Sequence, residues 1–76
     1  MSVHMTTRGD VSNGFEAAAK DLERAAAHLR RAAEYIHDND LPHTCVQVIA
    51  TQGELAKVAE VINAFIQLQA DAPDMQ

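Results

Sequence analysis

Large apolar residues recur at every seventh position from Phe15 through Leu22 and Leu29 to Ile36. With these as heptad position a, alanines fill position d (Ala18, Ala25, Ala32) and position e (Ala19, Ala26, Ala33). Such a period with a charged remainder marks an amphipathic helix, and alanine is the strongest helix former. The pattern predicts a first helix over about 14–37, with Asn13 as N-cap and Glu16 completing a capping box. The alanine strip lets a neighbouring helix come close, with the a residues filling holes between its turns.

A second helix is predicted over about 42–70. At 100° per residue, Val48, Leu55, Val58, Ala59, Ile62, Phe65 and Ile66 share one broad face, widened by Val61 and Leu68. Gln52, Lys57, Glu60, Asn63 and Gln67 form the polar remainder. Gly53 interrupts the run, as a soft spot or a point of close backbone approach.

Between the helices lies Asp38-Asn39-Asp40-Leu41-Pro42-His43-Thr44. Asp and Asn side chains compete with helix for the backbone hydrogen bonds, so the first helix stops here. Two starts are open for the next: Asp40 as N-cap with Pro42 in the first turn, or Thr44 as N-cap with Gln47 closing a capping box. Either leaves a connection short enough to make the helices antiparallel neighbours. Residues 1–12 and 71–76 have no period and are expected to be flexible tails. The expected fold is all-α: a two-helix antiparallel hairpin over residues 13–70.

A chain of 76 residues holds one small domain that is marginal on its own. The apolar arc of the second helix covers about half its circumference, wider than the ~100° stripe that one neighbour buries. If Leu55, Ile62 and Ile66 face the first helix, Val58, Val61, Phe65 and Leu68 are left in water. The expectation is therefore a homodimer, a four-helix bundle with the second helix at its centre and those four residues at the interface.

Composition narrows the function classes. Hydrophobic residues make up 47% of the chain, too many for a disordered chain of modest charge. The net charge of -5 makes nucleic acid an unlikely partner. Arg24, Arg30 and Arg31 form a small basic cluster, read as a solvated helix face balanced by Glu23 and Glu34. The single cysteine, Cys45, excludes an intrachain disulfide and fits a reducing compartment. No apolar run approaches the ~20 residues that span a bilayer, and the N-terminus lacks a signal-peptide core. A cytoplasmic location without membrane attachment is expected.

His37, His43 and Cys45 crowd the turn beside Asp38 and Asp40, and all are metal-ligand types. Neither Cys-x-x-Cys nor His-x-x-x-His occurs, so neither metal nor cofactor is expected. Cys45 with His43 or His37 is the one nucleophile-and-base set, without a pocket around it. His28 and Tyr35 stand at position g, flanking the apolar face, His28 as a packing or rim residue and Tyr35 as an interfacial one with its hydroxyl reaching water. Arg8-Gly9-Asp10 matches an integrin-binding tripeptide of the kind that arises by chance.

A long helix, a polar break and then Cys45-Val46-Gln47-Val48-Ile49 resembles the copper- and formaldehyde-sensing helical repressors. The resemblance covers the hairpin alone. The second helix lacks the later His and Cys ligands of the copper sensors, and the surface lacks their basic excess. The functional expectation is a small non-enzymatic interaction or accessory protein that binds a macromolecule through a bundle face. The alternative is a metal- or thiol-based sensor using His37, His43 and Cys45.

Overall fold

The computed structural model describes residues 7–71 and contains two α-helices, α1 (Arg8–His37) and α2 (Leu41–Asp71), packed against each other as an antiparallel hairpin. The N-cap of α1 is Thr7, whose Oγ1 accepts a hydrogen bond from the Asp10 N–H at 3.1 Å. The helix thus starts before the Asn13–Glu16 box, and Asn13 and Gly14 lie inside it. The physical reason is burial: Val11, in the added turn, packs with Ala18, Val58 and Val61 in the hydrophobic cluster. Of the two expected tails, residues 8–12 are helical, while 1–6 and 72–76 lie outside the described residues.

The turn is built from paired caps. Asn39 adopts the left-handed region at φ 60°, a conformation that Asn tolerates better than most residues. Its N–H donates to the Ile36 carbonyl at 3.1 Å, and the Asp40 N–H donates to the Tyr35 carbonyl at 2.8 Å. These two bonds form a Schellman motif that satisfies the last carbonyls of α1. Asp40 then starts α2, its carboxylate accepting from the His43 N–H at 3.2 Å. Of the two possible starts the chain takes Asp40. Pro42 sits at the second helical position, where its missing N–H costs nothing. The Thr44 hydroxyl, instead of capping, donates back to the Asp40 carbonyl at 2.8 Å.

The two helices meet along complementary seams of alternating three- and four-residue steps. On α1 the seam runs Val11, Gly14, Ala18, Asp21, Ala25, His28, Ala32, Tyr35, all buried or half-buried. On α2 it runs Thr44, Gln47, Thr51, Glu54, Val58, Val61, Phe65, Leu68. These are positions g and d of the α1 heptad, so the large a residues are not in the seam. Ala25 is 4% exposed, whereas Phe15, Leu22, Leu29 and Ile36 are between 44% and 52% exposed.

The side of α2 that meets α1 is therefore the reverse of the expected one. Val58 and Val61, expected to await a second copy, are buried within the hairpin, and Phe65 and Leu68 pack against the same cluster. Leu55, Ile62 and Ile66, expected inside, are exposed. The cause is the alanine strip. Helices approach most closely where side chains are small, so the seam follows Ala18, Ala25 and Ala32. The bulky a residues, next round the helix, are turned to one side.

Candidate interaction surface

Four contacts fix how the helices are rolled against each other. Position g of α1 meets one edge of the α2 seam: His28 Nδ1 donates to Gln47 Oε1 at 2.8 Å, and its Nε2 stands 3.5 Å from a Glu54 carboxylate oxygen. On that same edge Tyr35 stacks on His43 with ring centroids 5.1 Å apart. On the other edge Phe15, at position a, makes an edge-on contact with Phe65 at 5.3 Å. The a column of α1 consequently lies on the Phe65 side of the hairpin.

A second column projects from α2 on that side. Leu41, Val48, Leu55 and Ile62 also recur every seven residues and are between 47% and 59% exposed. Each stands four residues after, or three before, a seam residue of the Thr44–Thr51–Val58–Phe65 set. The hairpin thus presents one broad face carrying two parallel ridges of large apolar side chains. Ala19 and Ala33 on α1, and Cys45, Gln52, Ala59 and Ile66 on α2, flank the ridges and are exposed. The signal for this face was the seven-residue repeat of α2, which matches that of α1.

The seam beneath the face changes character along its length. Towards the open end it is apolar, with Val11, Ala18, Val58 and Val61. Towards the turn it is polar: besides the His28 bonds, Thr51 is buried and its hydroxyl donates to the Gln47 carbonyl at 2.8 Å. Asp21, also buried, holds Arg24 at 2.6 Å. Among the described residues, no buried side-chain polar atom lacks a hydrogen-bond partner. His28, expected as a packing or rim residue, is a partly buried link between the helices.

The sensor candidates are not brought together. His37 and Cys45 are exposed, and His43 is engaged with Asp40 at 2.7 Å. Among the described residues, no group of three or more His, Cys, Asp or Glu converges on a point where a metal ion fits. The His43 side chain, then its backbone N–H, then the imidazolium charge hold the Asp40 carboxyl below the usual carboxylate range. This is the electrostatics of a helix cap, with His43 as its third residue.

Arg24, Arg30 and Arg31 are all exposed on α1. Arg24 and Arg31 share a column seven residues apart, whereas Arg30 falls on another flank of α1. Arg8-Gly9-Asp10 is the first turn of α1 and has helical backbone. Two hollows, of about 390 and 500 Å³, are open dents, one lined by the start of α1 and the other by its end and the start of the turn. No described helix is long and apolar enough to cross a membrane. Set against known proteins, the chain matches no family model, no curated protein and no solved structure.

Proposed function

We propose that the protein is a non-enzymatic interaction module that works as a homodimer. A second copy covers the ridged apolar face to complete a four-helix bundle, and the outer surface of that bundle engages a macromolecular partner, a protein rather than a nucleic acid. The observation that carries this reading is where the large side chains stand. Among the described residues none is fully buried, and eight of them form the two ridges of one face. Eight such side chains, each about half exposed, present roughly 700 Å² of apolar surface, above the few hundred Å² of a typical monomer patch and near the ~800 Å² per partner of a standard interface. A self-complementary face of this kind suits a two-fold dimer. The exposed Cys45 thiol is in keeping with a cytoplasmic location.

Light scattering at micromolar concentration tests the dimer. The intact chain gives twice the chain mass. Leu29→Asp, on the face, gives a monomer or an unfolded chain, whereas Val46→Asp, exposed and off the face, keeps the dimer. An intact chain that is monomeric and fully helical would refute the proposal.

A further inference from the structure

We infer that the second copy docks reversed end for end, so that α1 lies against α1 of the other chain, α2 lies against α2, and the two turns are at opposite ends of the bundle. The inference rests on the dimer proposed above and specifies its geometry. Two arrangements of a face-to-face hairpin dimer keep all neighbouring helices antiparallel. A two-fold axis along the bundle pairs α1 with α2 of the other copy and puts both turns at one end. A two-fold axis across the bundle pairs like with like. Three features of the face favour the second.

The first is Gln52. The outer seam of α2 runs Leu41, Cys45, Val48, Gln52, Leu55, Ala59, Ile62, Ile66, in steps of four and three, with one amide near its middle. Against α1 of another copy, Gln52 would be set on Leu29 and Ala26, whose own side chains offer no hydrogen bond, with Glu23 and Arg30 only on the rim beside them. Against a reversed α2 it meets its own counterpart, and two amides satisfy each other as donor and acceptor. A single polar residue in an apolar seam is a known means of fixing helix orientation.

The second is the charge order on the rim of α1. Glu16, Glu23, Arg30 and His37 are seven residues apart, exposed, and run from acidic to basic along the helix. None has an ion-pair partner among the described residues. Reversing a second α1 about the midpoint of Phe15–Ile36 sets Glu23 beside the other chain's Arg30, and Glu16 beside its His37. The next column outward, Lys20 and Glu34, also becomes complementary. Against α2, the same rim would face Ile49, Ala56 and Asn63, which carry no charge.

The third is the common centre. The His28–Gln47 and Phe15–Phe65 contacts set Ala26 and Gln52 at about the same height along the hairpin. Ala26 is the midpoint of the α1 ridge, and Gln52 lies beside the midpoint of the α2 outer seam. One axis across the bundle therefore serves both pairs of helices.

The test is disulfide trapping in a Cys45→Ser background. Gln52→Cys placed beside the axis is expected to give a covalent dimer on mild oxidation, and the Cys45→Ser parent none. Light scattering on the reduced protein separates the two levels of the argument. A reduced dimer that does not cross-link would overturn the end-for-end arrangement and leave the dimer standing, while a reduced monomer would overturn both. Charge reversal gives a second reading that leaves Gln52 in place. Glu23→Arg alone is expected to weaken dimerisation by about ten-fold, since two rim pairs are made repulsive. Adding Arg30→Glu to the same chain is expected to restore it to about two-fold of the parent. Failure of that rescue would also overturn the arrangement.

Discussion

Enlarging Ala25 to leucine tests the hairpin seam where it is tightest. Ala25 is the least exposed residue of α1 and lies midway along the strip formed with Ala18 and Ala32. Three added carbons have nowhere to go unless the helices part, and their parting would loosen the His28–Gln47 bond one turn away. Overpacking of this kind costs about 1–3 kcal/mol, which for a chain of this size lowers the melting temperature by roughly 5–20 °C. Ala17→Leu is the control: it adds the same atoms at an exposed position and should change stability by less than about 0.5 kcal/mol. Thermal melts of both variants and the parent, followed by far-ultraviolet circular dichroism, make the comparison. If Ala25→Leu melts at or above the parent temperature, the helices do not close on the alanine strip, and the roll assigned to α1 is refuted.

Two further outcomes concern the turn. Asn39→Ala should destabilise by about 1 kcal/mol, since alanine pays more than asparagine in the left-handed region, while Asn39→Gly should be neutral or slightly stabilising; urea melts that rank alanine above glycine would count against the Schellman geometry. The Asp40 carboxyl is held below its ordinary range when folded, so its contribution is complete above the ordinary unfolded pKa near 3.9 and is lost as pH falls through the lowered folded value. Acid titration of the melting temperature should accordingly steepen below about pH 4, and Asp40→Asn should flatten that limb; an unchanged limb would remove Asp40 from the account.

Helix existence and the position of the turn could be read from the residues, because a seven-residue repeat and an Asp-Asn-Asp break are local signals. The start of α1 could not. Thr7–Asp10 and Asn13–Glu16 both offer a capping side chain, and the choice is made by what the extra turn buries, Val11 on the Val58–Val61 cluster. The side of α2 facing α1 was also illegible from its apolar arc alone. That reading sends Leu55, Ile62 and Ile66 inward because they are large, yet an approach through alanines selects the neighbouring Val58, Val61, Phe65 and Leu68. The heptad of α1 held the needed clue, since a helix that closes on its d alanines necessarily swings its a residues aside. The His28–Gln47 bond had no sequence signature, because it joins residues 19 apart in the chain.

The polar half of the seam answers a problem that the alanine strip creates. Ala18, Ala25 and Ala32 are identical and a heptad apart, so sliding α2 by two turns would present it with nearly the same surface. Apolar burial alone is non-directional and separates such registers poorly. Hydrogen bonds are not interchangeable in this way. A two-turn slip would separate His28 from Gln47 and Glu54, leaving partly buried polar groups unmatched at a cost of about 1–3 kcal/mol each. It would also part Phe15 from Phe65 at the other end of the hairpin. The division of labour then follows from residue size. Small residues in the seam set the distance between helices, the His28 cluster sets their register, and the large side chains, displaced from the seam, are left on one face. Covering the exposed half of those side chains contributes roughly 1 kcal/mol apiece, more than the buried alanines supply, so in the proposed dimer folding and association become a single transition whose midpoint rises with protein concentration.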